Sequence, residues 1–546
     1  MARSTTSSFI TELPLKVDSK QEKQLNARFQ AGRQLYNACL NEALIRMELV
    51  RNSEPYKQAK KINREKDKKQ RKELFKTARE KARFSDYELQ SFATLIAKSS
   101  NWIADKVDSN TQQKLATRAF KAVERILFGM AKQVRFKVRS RFKSVEGKSN
   151  RQGLRWLKNQ VVWCGLKMEA IIDWNNPVIA HGLNSLIKYC RILWRNLNGK
   201  KRWFIQLVNE GLPYQKPQNY VTQGIVGLDV NISNVAFVAD CKAGLLPFAD
   251  KVPTFEREIK ALQRKMQRSQ RMHNPDNFEP DFDKQVGNKI VRKKGKVKKG
   301  LEFRREKMGQ ASNKTSSFEH PTNQLTKPAP FFKEYLRKKQ WIKTRNYRRI
   351  QAKKAELERR KAAYAKSQNR KLVNDILRHG NQIKTEQVSI KGWQKRYGKA
   401  ISAKSPGFFQ SELKRKVENT GGYFLTFSTQ TTALSQTHLD GTRIKKSLSE
   451  RVHKDVTGVQ PMHRDLFSAF LSRCVYNDSL SLWDAQCEYP GTEPFLLDAW
   501  KQHQQSVNRV AECESRSGYS SSEQMSNQVL TSNQIAKKGE KLEGYA

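Results

Sequence analysis

The sequence predicts a mixed α/β protein, in which an α/β core follows a β-rich region that a long helical segment interrupts. Three observations predict this arrangement. Stretches that alternate apolar and polar residues, typical of strands, open the chain and recur over residues 133–210. Apolar residues at helical spacing run through most of residues 19–130. Beyond residue 220, short apolar runs typical of buried strands alternate with helical stretches.

The first 220 residues divide into three predicted segments. Residues 1–18 hold a strand over 8–16 and form the first part of a β-rich, barrel-like domain. Residues 19–130 form a very basic helical domain that interrupts it. Residues 131–220 complete the β-rich domain, with strands that alternate basic and apolar residues. Two prolines make residues 211–220 a predicted linker at its end.

The second half of the chain predicts an α/β domain over residues 221–475. The segment GIVGLDVNISNVAFVAD (224–240) predicts a buried strand, a turn and a second strand. A later helix is expected to end at Gly380 as its C-terminal cap. Residues 476–546 are rich in Ser, Gln and Asn and form a partly disordered tail, apart from a helix over 494–510.

The charge of the chain indicates a polyanionic partner. Its 546 residues include 105 Lys and Arg against 52 Asp and Glu, a formal net charge of +53. An ordinary metabolic enzyme needs no field of this size for a small ligand, whereas nucleic acid does. One DNA-binding module makes about 6–10 phosphate contacts, while a hybrid of about 20 base pairs offers roughly 40 phosphates to a basic channel. We therefore expect a long, enclosed nucleic-acid path.

Nothing in the sequence indicates export or membrane insertion. No apolar run approaches the roughly 18 residues of a membrane span, and the N-terminal residues lack the apolar segment of a secretion signal. The seven cysteines are scattered and form no CxxC pair, which favours reduced thiols. These features predict a cytoplasmic protein without a membrane partner.

Three acidic residues stand out by their context. Asp229 lies within the predicted strand 225–230, Glu386 at the end of another short strand, and Asp465 at the start of a helical stretch. A lone buried carboxylate is costly, whereas carboxylates that converge are the ligands that Mg²⁺ prefers. Any one of these acids alone is better explained as a turn residue or an ion-pair partner. As a set they are better explained as a catalytic site.

Four segments occur in an order that resembles the RuvC-type nuclease core of the TnpB family. They are GLDVNISNVAFV, IKTEQVSIKGW, SPGFFQSELKRKVENTGGYFLTFS, and LSERVH followed by HRD. TnpB proteins are transposon-encoded, RNA-guided DNA endonucleases once described as OrfB transposases, and the type V CRISPR effectors share the core. The resemblance covers about residues 224–475 and extends more loosely over residues 1–220. It implies a bilobed protein with an RNase H-like mixed sheet flanked by helices, a β-rich wedge and a helical recognition insert.

The resemblance also implies the roles of the acidic residues. Asp229, Glu386 and Asp465 match the three catalytic acids, which hold two Mg²⁺ ions and direct the hydrolysis of DNA. Arg464 matches the arginine of the family's DRD segment, and His463 replaces the first acid of that segment. Asn231 stands where the family often has Gly, and Asn tolerates a positive φ better than most residues, so the turn can survive.

The family usually carries a zinc ribbon between the second and third acids, and this chain departs from it. The matching residues, about 430–463, contain no cysteine. His438, His453 and His463 are 15 and 10 residues apart, without the short-spaced pairs that pre-form a zinc site. We therefore expect these histidines to be ordinary loop residues that bind no zinc. We also expect the insert to become ordered only when nucleic acid is bound. The apolar residues expected to hold it against the nuclease sheet are Leu434, Leu439, Ile444 and Leu448.

The implied partners are a guide RNA, held by the wedge and the helical insert, and a target DNA that pairs with it. Basic helices over residues 333–371 line the hybrid channel in this interpretation. A solvated helical hairpin is the competing explanation for any single cation. The candidate nucleic-acid contacts are Arg464, Arg337, Lys338, Lys339, Arg345, Arg348 and Arg349.

Several functions stay open at this point. The favoured one is a Mg²⁺-dependent, RNA-guided DNA endonuclease of the TnpB type; a type V CRISPR effector would differ in the source of its guide. A non-cleaving RNA-guided DNA-binding protein is slightly favoured by the missing zinc ligands and opposed by the three acids. A DNA-strand transferase is disfavoured, because in this family strand transfer belongs to a separate transposase. The resemblance leaves that transposase open as a partner.

Overall fold

The structure is a computed structural model that describes residues 6–63, 67–286, 289–297, 341–447 and 450–516. It is a mixed α/β protein with several sheets. The chain divides into two compact units. The first comprises Met1–Val226, Asn374–Ile383 and Lys414–Leu425, and the second comprises Gly227–Val373, Lys384–Leu413 and Thr426–Ala546.

The first unit contains a seven-stranded sheet in the order β2-β6-β7-β1-β5-β4-β3, and every neighbouring pair is antiparallel. Its strands are β1 (Ser8–Lys16), β2 (Ser144–Glu146), β3 (Arg155–Leu157), β4 (Gln160–Trp163), β5 (Leu166–Ala170), β6 (Ile187–Leu197) and β7 (Lys200–Glu210). The strand expected at residues 8–16 is confirmed. Residues 133–143, also expected to be extended, contain a short 3₁₀ turn instead of a strand. Closure into a barrel stays a prediction.

Seven helices of the described residues lie wholly within this unit. They are α1 (Ser19–Asn52), α2 (Glu54–Lys61), α3 (Lys68–Lys81), α4 (Asp86–Lys98), α5 (Asn101–Ala104), α6 (Ser109–Leu127) and α7 (Pro177–Asn184). Helix α1 begins with a capping box, in which Asp18 and Gln21 each accept a backbone N–H from the other. The apolar residues of α1 that follow helical spacing form its core face: Leu35, Cys39, Leu40 and Ala43 are fully buried, and Leu44 is partly buried.

A second sheet has five strands in the order β10-β9-β8-β13-β14. They are β8 (Ile225–Val230), β9 (Asn234–Val238), β10 (Ala243–Pro247), β13 (Gln382–Glu386) and β14 (Tyr423–Phe427). Strands β8, β9 and β10 form an antiparallel meander. The strand–turn–strand predicted over residues 224–240 is confirmed. Strand β8 lies in the middle of this sheet, which buries the apolar residues on both sides of Asp229.

Helices and three small hairpins complete the described chain. The helices are α8 (Glu256–His273), α9 (Arg345–Leu377), α10 (Ile390–Lys404), α11 (Pro406–Asn419), α12 (Thr429–Thr432), α13 (Arg464–Arg473) and α14 (Leu482–Arg516). The hairpins are β11 (Phe282–Val286) with β12 (Lys289–Lys293), β15 (Val452–His453) with β16 (Met462–His463), and β17 (Val475–Tyr476) with β18 (Ser479–Leu480). No helix of the described residues is both long and apolar enough to cross a membrane.

Helix α13 is buried on all sides. Each of its ten residues is buried, and the side chains of Leu466, Phe467, Phe470 and Leu471 are almost completely so. A helix surrounded in this way is held in position by packing along its whole circumference. Any functional group that it carries therefore has a fixed place.

Two helix boundaries differ from the sequence prediction. Helix α9 ends at Leu377, three residues before Gly380, which is not among the glycines with positive φ. A Cβ at Gly380 would lie 2.6 Å from the carbonyl oxygen of Gly224, so this glycine permits close chain approach instead of capping a helix. Helix α14 begins at Leu482, earlier than expected, and contains Pro490 and Pro494. The part of the predicted disordered tail beyond residue 516 lies outside the described residues.

Candidate functional site

Strand β8 and helix α13 approach so closely at Gly227 that no side chain fits between them. A Cβ at Gly227 would lie 2.0 Å from the carbonyl oxygen of Ala469 and 2.9 Å from Cγ of Arg473. Residues two apart share one face of a strand, and residues four apart share one face of a helix. Asp229, two residues after Gly227, therefore lies on the face of β8 that packs on the helix. Asp465 lies one helical turn before Ala469, on the face of α13 that meets this strand.

A buried lysine links strand β13 to the same helix. The ammonium group of Lys384 donates a hydrogen bond to the carbonyl oxygen of Arg473, the last residue of α13, and lies 3.7 Å from the centre of the Tyr476 ring. A cation at a helix C-terminus is stabilised by the helix dipole. Glu386 follows two residues later on the same face of β13, so the strand carries its acid towards Asp229.

Asp465 lies in the first turn of α13, where the helix dipole stabilises a carboxylate. Its backbone N–H donates to Nδ1 of His463, 3.2 Å away, so His463 caps the helix. Two guanidinium groups lie beside the buried carboxylate. Nη1 of Arg451 is 3.7 Å from Oδ2, and Nε of Arg464 is 3.8 Å from Oδ1.

The three acids interact electrostatically. Burial raises the pKa of Asp229 well above its usual value, and the carboxylates of Asp465 and Glu386 raise this pKa further. Arg464 and the Asn231 amide, whose Nδ2 is 3.3 Å from Oδ1 of Asp229, act in the opposite direction. Burial also raises the pKa of Glu386 to about 7. These shifts show that ionising all three carboxyl groups together is unfavourable. A divalent cation bound between them would stabilise their ionised forms.

The structure therefore brings together four of the residues selected from the sequence: Asp229, Glu386, Asp465 and Arg464. Arg464 is not a surface cation, because its side chain is 9% exposed and Nη1 donates to the carbonyl oxygen of Ser447 at 3.0 Å. Asn231 is not among the residues with positive φ, so the turn after β8 forms without a left-handed residue there.

The other candidate nucleic-acid contacts do not join this cluster. Arg345, Arg348 and Arg349 are exposed in the first turns of α9, and no described contact connects them to the acids. Arg337, Lys338 and Lys339 lie outside the described residues. A role for these six cations in binding nucleic acid stays a prediction.

Arg451 also lies beside the acids, although no sequence pattern indicated it. Its side chain is 48% exposed, and it is the cation that reaches the acids from the insert between residues 430 and 463. The one sequence feature that could have indicated Arg451 is its position in the LSERVH segment, directly before strand β15, which ends at His453.

The insert also holds a buried cluster of hydrogen bonds. His438, His453 and the Asp455 side chain are almost completely buried. Oδ2 of Asp455 accepts from Nε2 of His453 at 2.8 Å and from the Leu439 N–H at 3.0 Å. Oδ1 accepts from the backbone N–H and the hydroxyl of Thr457, at 3.0 and 2.8 Å. We call these three side chains, His438, His453 and Asp455, the His–Asp cluster.

The His–Asp cluster differs from the loop histidines that the sequence suggested. One ligand atom from each of its three residues lies within 4.8 Å of the others, the only such group of His, Cys, Asp or Glu found among the described residues. However, Nδ1 of His453 is 2.7 Å from the Lys446 ammonium, and Nδ1 of His438 accepts the Val456 N–H. Three ligands already engaged in hydrogen bonds are one short of a structural zinc cage.

Of the four apolar residues expected to hold the insert against the nuclease sheet, two are buried, and their packing on the sheet stays a prediction. Leu434 and Leu439 are buried, as expected, whereas Ile444 is 46% exposed and does not take part. Leu448 lies outside the described residues. The His–Asp cluster thus supplies an anchor that apolar packing alone does not.

Comparisons with known proteins give weak similarities. A cryo-EM structure of a Cas12f1–sgRNA–target DNA complex aligns with 86% of this chain and 98% of its own, at 9% sequence identity and a TM-score of 0.38. A cryo-EM structure of a CRISPR-Cas12f ternary complex aligns with 85% of this chain and 86% of its own, at 10% identity and a TM-score of 0.24. No protein-family model matches the sequence, and no curated protein matches it.

Proposed function

We propose that this chain is an RNA-guided DNA endonuclease of the TnpB type, with a RuvC-like site formed by Asp229, Glu386 and Asp465. The observation that carries the proposal is the close packing of α13 on β8 at Gly227 and its hydrogen bond to Lys384 of β13, which bring the three acids near one another. Asp465 and Glu386 accordingly raise the pKa of Asp229. The three acids come from distant segments of the sequence, and a chance meeting of three carboxylates in one protein interior is energetically unfavourable. Such clusters persist where function needs them.

The donor set suits Mg²⁺. All three residues offer carboxylate oxygens, and Asp229 and Glu386 are only half-buried, which leaves open positions for water and phosphate oxygens. When bound, two ions would activate the attacking water and neutralise charge on the phosphate. The protein itself contributes rigidity: Gly227 sets the distance between strand and helix, Lys384 fixes strand β13, and His463 holds the first turn of α13.

The proposed partners are a guide RNA and a target DNA. The net charge of +53 supports a polyanionic partner, and the resemblance to TnpB supports a guide that reads the target by base pairing. Arg345, Arg348 and Arg349, exposed at the start of α9, are proposed contacts to the phosphate backbone. A type V CRISPR effector would use the same site with a guide from a different source.

A non-cleaving RNA-guided DNA-binding protein is the second candidate. It is supported by the two guanidinium groups that already lie within 4 Å of Asp465 and partly balance its charge. It is opposed by the retention of all three acids, whose carboxylates interact electrostatically. A strand transferase has no support beyond the old family description.

The test uses the protein with the RNA that copurifies with it. The RNA is sequenced, and DNA carrying the complement of its guide part is incubated with the complex in Mg²⁺. We expect Asp229→Asn, Glu386→Gln and Asp465→Asn each to reduce cleavage by at least about 100-fold, because each removes one charge-stabilising ligand. Binding of the same DNA should remain close to that of the wild type.

Asp276→Asn is the matched control, because Asp276 is an exposed acid outside the cluster. It should cleave as the wild type does. Undiminished cleavage by any one of the three variants would remove that acid from the site. Copurifying RNA of random sequence, together with DNA targeting that survives RNase, would exclude guided recognition.

A further inference from the structure

The hairpin of strands β11 and β12 exposes both of its faces. The two strands pair in antiparallel register and form a two-stranded sheet of their own. Residues 282–285 and 290–293 are all exposed, including the large apolar side chains of Phe282 (47%) and Ile290 (78%). An isolated two-stranded hairpin is at best marginally stable in water, so the exposure of both faces indicates a partner.

The base of the hairpin is attached to helix α8 through one arginine. Nη2 of Arg271 donates to the carbonyl oxygen of Gly295 at 2.7 Å, and Nη1 lies 3.6 Å from Oδ1 of Asp281. The same guanidinium group lies 4.6 Å from the centre of the Phe278 ring. A Cβ at Gly295 would lie 1.8 Å from the carbonyl oxygen of Glu279, so the close approach of the two chains here requires glycine. The strands therefore project from a fixed base.

The two faces of the hairpin differ in charge. Residues directly opposite each other in a ladder share one face of the sheet. On one face, Asp283 lies opposite Arg292, so their charges balance. The other face combines two lysines with two apolar residues and no acid; we call it the lysine face, and it consists of Phe282, Lys284, Val291 and Lys293. The lysine face is therefore the one that is complementary to a polyanion.

The shape and the chemistry of the lysine face favour duplex DNA among polyanions. The major groove of B-form DNA is about 12 Å wide and admits a two-stranded β-ribbon, whereas the major groove of A-form RNA is too narrow for side chains to read. Lysines contact phosphates, and apolar side chains contact the methyl group of thymine in the major groove. The lysine face presents both kinds of group together.

We propose that the lysine face binds the major groove of B-form duplex DNA without any pairing to a guide. Lys284 and Lys293 neutralise phosphates beside the groove, and Phe282 contacts thymine methyl groups within it. This inference deepens the proposed function and rests on it only in taking DNA as a partner. Neither the acid cluster nor cleavage enters the argument.

The test measures, by fluorescence anisotropy, how the protein–RNA complex binds a short DNA duplex without complementarity to the guide. Lys284→Gln and Lys293→Gln should each weaken binding about five- to tenfold at about 0.1 M salt, and should each reduce the salt slope by about 0.9, because each loses one phosphate contact. Arg292→Gln is the matched control, since it removes one charge from the opposite face of the same hairpin. It should change the affinity less than about twofold.

Replacement of thymine by uracil in the duplex tests the groove, because it removes a methyl group from the major groove alone. The wild type should bind the uracil duplex about two- to fourfold more weakly than the thymine duplex. Phe282→Ala should lose most of this difference while its salt slope stays that of the wild type. Duplex RNA should bind to the wild type and to the lysine variants alike.

Wild-type affinity for duplex DNA in both lysine variants would overturn the proposal. An equal loss in Arg292→Gln, an equal loss for duplex RNA, or equal binding of the thymine and uracil duplexes by the wild type would each overturn the assignment to the major groove of DNA. Thermal unfolding should be the same for all variants, since the substituted side chains are exposed.

Failure of the proposed function gives a different result. If the complex cleaves DNA complementary to its guide, but the lysine variants bind the non-complementary duplex as the wild type does, only the inference about the hairpin is wrong. If the complex binds neither complementary nor non-complementary DNA, both proposals are wrong.

Discussion

The imidazole of His453 lies face to face with the ring of Phe467, with ring centroids 3.9 Å apart and planes 17° from parallel. Phe467 follows Asp465 by two residues on α13, and His453 follows Arg451 by two residues on the insert. The stack therefore attaches the insert directly to the helix that carries the third acid. A disturbance of the His–Asp cluster should reach the site through this contact.

We expect Asp455→Asn to loosen the insert without unfolding the rest of the protein. The substitution removes the charge that receives four hydrogen bonds in a buried position, at a cost of about 2–4 kcal/mol to the local stability. Hydrogen exchange over residues 438–457 should accelerate. Asp440→Asn, an exposed aspartate bonded only to Thr442, is the control and should leave exchange unchanged. Equal exchange in both variants would contradict an anchoring role for the cluster.

The pH dependence of the insert follows from His453. Burial lowers the pKa of His453 to about 4, below its usual value of about 6.5, so the folded insert favours the neutral ring. The stabilisation is complete above about pH 6.5 and is lost as the pH falls from there towards 4. A histidine-selective NMR titration, assigned with His453→Phe, should give a midpoint near 4. A midpoint near 6.5 would mean that the ring is not buried in solution.

We expect Gly227→Ala to abolish cleavage although it adds only one methyl group. The new Cβ would lie 2.0 Å from a backbone oxygen of α13, so the helix must shift and carry Asp465 with it. Overpacking of this kind costs about 1–3 kcal/mol. Gly407→Ala is the control, because a Cβ there meets open space at the start of α11, and Ala stabilises a helix by up to about 1 kcal/mol over Gly. Cleavage and melting temperature are compared for both variants.

We expect the purified protein to hold no stoichiometric zinc. The His–Asp cluster offers three ligand residues, whereas a structural zinc needs four, and Nδ1 of each histidine and the Asp455 carboxylate are already engaged in hydrogen bonds. Elemental analysis and unfolding with and without a chelator test this directly. About one zinc per chain, lost in His438→Ala, would show that the cluster rearranges around a metal.

The acids of the candidate site could be predicted from the sequence because each lies in a recognisable local pattern. Asp229 interrupts an apolar strand, Glu386 ends a short strand, and Asp465 opens an apolar helix, and all three elements are present in the structure. Local patterns fix such elements, and burial within them makes a charged residue conspicuous.

The His–Asp cluster could not be predicted in the same way. Its members are brought together by the folding of an irregular insert, while a spacing argument recognises only pre-formed pairs of ligands. Arg451 was missed for a related reason: in a chain with 105 Lys and Arg, no single cation stands out until its partner is known. Gly380 was assigned to a helix cap because close approach between distant backbone segments leaves no local signal.

The order in which the acids occur along the chain has a consequence during synthesis. A ribosome that has added Asp229 and Glu386 has not yet made α13, so the nascent chain has neither the third acid nor the helix that Gly227 accommodates. The proposed site is complete only after residue 473 of 546 has left the exit tunnel. Under the proposed function, a chain that stops before α13 lacks the third acid, and we expect it not to cleave DNA.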